Sequence, residues 1–180
     1  MDRKRNNFGT QIQMAVPDDA SRVASVLRES FAEYESLYTP EAFAATTPKS
    51  DQVLSRMKEG PVWTAVQTGT IVGTAAAVPR GEDLYIRGMA ILPSARGQRI
   101  GELLLEHIES FASVRGYKRL VLSTTPFLTR AIRLYEHFGF RRSPEGPHDL
   151  FETPLFTMVK NLEPPGKEQD AIRGNNIRNA

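Results

Sequence analysis

Apolar positions recur along residues 10–162 with two different periods, near two and near 3.6. Residues 11–16 alternate closely enough to make a first strand. Pro17 then opens a helix in which Val23, Val26, Leu27, Ser30 and Phe31 share a face. Residues 34–49, rich in aromatic residues, Thr and Pro, predict a loop with at most a short helix. Residues 51–58 predict a second helix, closed by Gly60-Pro61. Val62–Gln67 and residues 71–78 flank Thr68-Gly69-Thr70 and predict an antiparallel hairpin. A strand over 84–92 runs up to Pro93. Ile100, Leu103, Leu104, His107, Ile108, Phe111 and Ala112 then form a stripe wide enough to cover a sheet, ended by Gly116. Residues 119–123 predict a buried strand, 130–138 a helix stopped by Gly139, and 140–143 and 155–159 two closing strands.

This order of elements predicts an α/β (α+β) domain over residues 10–162 with a mixed sheet, not an alternating doubly wound fold. Residues 1–9 and 163–180 carry no periodicity, and the second stretch opens on Glu163-Pro164-Pro165-Gly166. Both are expected to be disordered.

Composition narrows the classes. At 180 residues, with 40% hydrophobic and 24% charged positions, the chain has the make-up of one globular domain. The formal charge of +2 and a pI near 9.0 invite a nucleic-acid partner. The excess sits in residues 1–9, however, in Arg3, Lys4 and Arg5 against Asp2, while residues 10–162 balance at zero. A neutral body does not make a phosphate-neutralising surface, so no nucleic acid is expected. The chain has no cysteine, which excludes disulfides, thiolate metal sites and a cysteine nucleophile. The start has no apolar core of a secretory signal, and the run at 71–78 is too short to span a bilayer. A cytoplasmic protein without membrane association is expected. His107 and His137 lack a second ligand at metal spacing, and no metal is expected.

Chemistry concentrates in residues 84–108, where a strand ends at a proline, a loop carries Arg96-Gly97-Gln98-Arg99-Ile100-Gly101, and a long helix begins. A helix start presents unpaired N–H groups and partial positive charge, a ready anion site. Gly97 lets the backbone approach a ligand, Gly101 allows tight contact at the helix start, and Arg96 and Arg99 add charge. The segment suits a pyrophosphate. Gly88, in mid-strand, marks a bulge or a close backbone approach.

In these residues the chain resembles the GNAT superfamily of acyl-CoA-dependent N-acyltransferases, whose signature Gln/Arg-x-x-Gly-x-Gly/Ala follows a strand and opens a helix. Arg99 stands where that signature has glycine. Downstream, Ala131-Ile132-Arg133-Leu134-Tyr135 leading into Gly139-Phe140 is similar to the family's late helix, with Leu128 where Asn is frequent. The resemblance implies a mostly antiparallel sheet of six to seven strands, splayed into a V, with about four helices. It implies acetyl-CoA as cosubstrate, bound by Met89, Ala90 and Ile91 along its pantetheine and by Arg96, Gly97, Gln98, Arg99, Ile100 and Gly101 at its pyrophosphate. The bulge would turn an N–H to the thioester carbonyl, and Tyr135 would act as general acid.

An amine of pKa ~10 is only about one part in a thousand neutral at pH 7, so attack needs deprotonation. Glu82, at the start of the cleft-facing strand, is the candidate base, and His148 a late-loop alternative. Without cysteine the transfer is expected to be direct, in a ternary complex. The charges from Arg115 to Arg142 form either a second anion site or a solvated face. The acceptor is expected to be a small molecule or peptide amine, with residues 31–47 suited to a small cation or a peptide. Monomer and homodimer stay open, and so does a non-catalytic acyl-CoA sensor as the alternative function.

Overall fold

The computed structural model describes residues 9–146 and 148–162; apart from Gly9, the arm and tail expected at the two ends lie outside the described residues. Eight strands form the sheet: β1 (Gln11–Met14), β2 (Val62–Gln67), β3 (Thr70–Arg80), β4 (Asp83–Ile91), β5 (Arg119–Thr124), β6 (Arg141–Arg142), β7 (His148–Leu150) and β8 (Thr153–Asn161). Their order is β1-β2-β3-β4-β5-β8-β6, with β7 also paired to β8. Every pairing is antiparallel except β4 with β5. The strand beyond the expected six to seven is β7, whose three residues are too few to show alternation.

Among the described residues there are five α-helices: α1 (Ala20–Phe31), α2 (Pro40–Thr46), α3 (Ser50–Glu59), α4 (Ile100–Val114) and α5 (Thr129–His137). The stretch 34–49 holds more order than its composition suggests. A 3-10 turn at Ala32–Leu37 precedes α2, which starts with Pro40 at its first position and with the Thr39 hydroxyl accepting from the Ala42 N–H at 3.3 Å. None of the helices is long and apolar enough to cross a membrane.

Helix α1 lies against β3 and β4 with α3 packed on it, and α4 crosses β1 to β4. The buried stripe of α4 is Ile100, Gly101, Leu104, Leu105, Ile108 and Ala112. Leu103, His107 and Phe111 flank it rather than centre it. Trp63 of β2, almost wholly buried, takes the edges of His107 and Phe111 at centroid distances of 5.7 and 5.1 Å.

Two features of β4 shape the molecule. The parallel pairing with β5 runs only from Asp83↔Arg119 to Ile86↔Leu122, and a two-bond contact of Arg119 with Asp83 (2.7 and 2.6 Å) pins that closed end. Beyond it, β4 stays with β3 and β5 with β8, so the sheet opens into a V. Just past the fork the β3–β4 register slips between Thr74↔Ala90 and Ala76↔Arg87, leaving two residues, Gly88 and Met89, opposite one. Gly88 has φ +58°, a left-handed value that places the bulge there.

Candidate active site

A cavity of about 930 Å³ fills the opening of the V. Its walls come from β4 after the fork, the end of β5, the start of α4, the inner face of α5 and the segment after α1. Met89, Ala90 and Ile91 line it, next to the edge of β4 that β5 has left.

The loop into α4 borders the same space through Arg96, Gly97, Arg99, Ile100 and Gly101. Gly97 and Arg99 both have left-handed backbones, with φ of +78° and +61°. Among the described residues, the amides of Gly97, Gln98 and Arg99 find no backbone acceptor, and no side chain caps those at the start of α4. Successive unpaired N–H groups around left-handed residues make a concave nest for an anion. Arg99 stands where the family signature has glycine, and it does not begin the helix with a helical backbone. Instead it takes the conformation that glycine prefers, at a steric cost, and stands at the N-cap.

The side chains of this loop do less than their charges suggest. Arg96 is held by the Glu33 carboxylate and donates to the Ser30 carbonyl at 3.0 Å. Arg99 forks onto Glu102 in the first turn of α4, which raises its pKa; the opposition of a cation to the helix dipole is cancelled in this way. Gln98 turns away, its Oε1 accepting from Gln67 Nε2 at 2.8 Å, and it does not line the cavity. Backbone N–H groups, not mobile arginines, therefore dominate the attraction for an anion here. The further cluster expected between residues 115 and 142 is dispersed. Arg115 lies over Phe111, Lys118 and Arg119 pair with Glu82 and Asp83, Arg142 lies over Phe156, and Arg130 alone of that set reaches the cavity.

Tyr135 faces the cavity from α5, directly after Leu134, and is 8% exposed with its ring 5.8 Å from that of Phe140. Burial, helped by the nearby Tyr38 and Tyr85 phenols, pushes its pKa well above the usual tyrosine value, so the hydroxyl stays protonated. Glu82 is not brought to the site. It lies in the β3–β4 turn at the closed end of the V, 70% exposed and 2.5 Å from Lys118 Nζ, outside the cavity lining. A turn residue after Gly81 precedes the fork by four residues, so the strand carries it away from the opening. His148 begins β7 and is likewise absent from the lining, whereas Leu150 at the other end of that strand is present. Glu102 is the one carboxylate that lines the cavity among the described residues, and Arg99 engages it.

Several lining residues carried no sequence signal. Among the described residues, the hydroxyls of Thr124 and Thr125, at the end of β5, are buried with no partner in hydrogen-bonding geometry, although that of Thr125 stands beside the Tyr38 phenol. Tyr34 and Tyr38, from the stretch 31–47 expected on the acceptor side, do line the cavity, and Phe127 packs on them, edge-on to Tyr38 at 4.9 Å and stacked on Tyr34 at 6.3 Å. Burial raises the Tyr38 phenol, opposed by the Thr125 and Thr46 hydroxyls beside it. Arg56 and Arg87 also face the cavity. Neither was singled out in the sequence: Arg87 lies on β4 and Arg56 on α3. Among the described residues no group of His, Asp and Glu side chains is arranged to hold a metal.

A fork with an anion nest at its mouth and a bulge at its apex is the geometry that the motif resemblance implies. The sequence profile of the acetyltransferase (GNAT) family matches residues 24–140. The chain belongs to the GNAT acetyltransferase family. The uncharacterized N-acetyltransferase YjgM of Escherichia coli (strain K12) is 30% identical to this acetyltransferase over 128 residues, 68% of this chain and 76% of that one. The IAA acetyltransferase of Azospirillum brasilense is 39% identical over 101 residues, 54% of this chain and 65% of that one. Among solved structures, the PaiA N-acetyltransferase from Thermoplasma acidophilum in complex with coenzyme A has a TM-score of 0.73 over 85% of this chain and 99% of that one. At 17% identity that is a likeness of fold. Membership of the GNAT family makes the protein a transferase, and a non-catalytic sensor is not favoured.

Proposed function

We propose that this GNAT protein moves an acetyl group from acetyl-CoA to an amine by direct transfer in a ternary complex. The observation that carries the reading is the run of unpaired amides from Gly97 to the start of α4, opening onto the forked sheet. The coenzyme A complex of the PaiA relative supports the same ligand. Acetyl-CoA supplies the activated thioester; the chain supplies position and proton control. The nest around Gly97 and Arg99 holds the pyrophosphate by backbone N–H groups, with Arg130 adding charge at the rim. The edge of β4 along Met89, Ala90 and Ile91 pairs with the pantetheine amides. The bulge at Gly88-Met89 aims an N–H at the thioester carbonyl and stabilises the charge that develops there.

Tyr135, kept protonated by burial, donates to the departing thiolate. The amine loses its proton to water through the open cleft, since Glu102, the one lining carboxylate among the described residues, lies at the pyrophosphate end in the grip of Arg99. With no cysteine in the chain, the acetyl group passes straight to the amine.

Titration calorimetry with acetyl-CoA followed by thiol release with a panel of amines tests this. Saturable binding and amine-dependent thiol release are expected. Absence of binding overturns the ligand, and binding without release to any amine overturns the transfer.

A further inference from the structure

We infer that the acceptor is a compact amine carrying a carboxylate, which Arg56 and Arg87 hold beside the bulge of β4. The inference rests on the acetyl-transfer reading for the amine alone; the anion subsite stands on the following geometry.

Arg87 is the residue before Gly88 on β4, and Arg56 projects from the second half of α3; both line the cavity. Arg56 Nη2 donates to the Ala45 carbonyl at the end of α2, at 2.7 Å. Its Nη1 lies 3.9 Å from the point where a Cβ on Gly88 would stand. The guanidinium is thus fixed between α2 and the bulge. Burial, and then the Arg87 charge, lower the Arg56 pKa, as expected of two cations sharing one partly dry space.

Arg87 is the less satisfied of the pair. Its Nε and Nη2 are buried, and neither makes a hydrogen bond among the described residues. Glu59 Oε2 stands 2.8 Å from Nη2, an ion contact whose N–H is not aligned on the carboxylate. Two guanidinium groups therefore face this part of the cavity with, among the described residues, the single Glu59 carboxylate behind them. Buried donors without acceptors are costly, and a planar carboxylate is the group whose two oxygens match a guanidinium fork.

This charge balance disfavours the small cation that the loop composition suggested, because a cationic acceptor would meet like charges and, among the described residues, no lining carboxylate on that side of the cavity. The closeness of Arg56 to the bulge also sets a length. A carboxylate on these arginines and an amine at the bulge are separated by only a few bonds, as in an amino acid. A lysine side chain within a peptide brings no such group.

The test is calorimetric titration of the full chain, saturated with coenzyme A, with matched sets of ligands. Each set holds an amino acid (alanine, leucine, phenylalanine or aspartate), its carboxamide and the amine lacking the carboxylate. In at least one set the free carboxylate is expected to bind roughly 10- to 150-fold tighter than both companions, the range of a hydrogen bond to a charged group. Arg87→Gln is expected to bring that ratio to within about threefold of one, and Arg56→Lys to reduce it less. Equal or weaker binding of the carboxylate in every set, or no binding of any, overturns the inference. So does an unchanged ratio in a folded Arg87→Gln protein. A ratio present in binding with no acetyl transfer to any acceptor refutes the transfer reading and leaves the carboxylate site standing.

Discussion

Leu134 lies so close over Gly101 that a Cβ on the glycine would stand 2.6 Å from its Cδ2. Ile91 Cδ1 and Met89 Cε lie on the same spot at 3.2 and 3.5 Å. This contact joins the first turn of α4, which frames the anion nest, to the helix that carries Tyr135, and to the open edge of β4. Three parts of the proposed site thus share one packing point.

Gly101→Ala is therefore expected to disturb the site as well as the fold. Overpacking costs about 1–3 kcal/mol, and alanine's better helix propensity returns about 1 kcal/mol, so a net loss of about 1 kcal/mol is expected. Thermal unfolding should show it. Leu134→Ala in the same protein should restore part of the loss, a coupling that a double-mutant cycle measures.

Arg99 holds a left-handed backbone that favours glycine, and among the described residues its side chain bonds only Glu102. Arg99→Gly is expected to raise the melting temperature. Affinity for coenzyme A should stay within about threefold, because the nest is made of backbone N–H groups. A large loss of affinity in calorimetry would show that the guanidinium itself carries the phosphate.

Tyr135→Phe keeps the ring against Phe140 and removes only the hydroxyl. A fall in kcat of roughly 10²–10⁴-fold is expected, with little change in KM, if the phenol protonates the thiolate. Steady-state thiol release reads both constants.

The pH profile follows from the same residue. The raised Tyr135 pKa keeps the acid in its working, protonated form beyond the usual tyrosine value near 10. The acceptor must be neutral, so kcat/KM should climb with pH up to the acceptor's own amine pKa and show no downturn below about pH 10. Glu82→Gln should leave this profile unchanged, since Glu82 faces Lys118 at the closed end of the V. A rate limb that vanishes in Glu82→Gln would restore that carboxylate as the base.

The long periodic elements were legible because each buries a face, and burial imposes its period on the sequence. The stripe of α4, the β2–β3 hairpin and the strand-loop-helix around Arg96–Gly101 all follow that rule. Helix α2, of seven residues, was legible only as a short helix without bounds inside 34–49, and strand β7, of three, not at all. The β7–β8 turn also lacks the glycine that would announce it, as Phe151 and Glu152 take φ of +46° and +67° themselves. The cavity-lining loop residues could be placed from their motif, but the partners that claim Arg96, Gln98 and Glu82 could not. Glu33, Gln67 and Lys118 come from other elements and meet them only in the fold. Arg56 and Arg87 stand on separate elements, α3 and β4, and they too meet only in the fold, beside the bulge at Gly88.

Initial rates with both substrates varied, alongside mass spectrometry of the acceptor and of the protein, test direct acetyl transfer most closely. The expected result is a set of intersecting reciprocal plots, one acetylated amine for each CoA thiol released, and no acetylated protein at any stage. Parallel plots with an acetyl group on the chain, or thiol release without an acetylated amine, would contradict it.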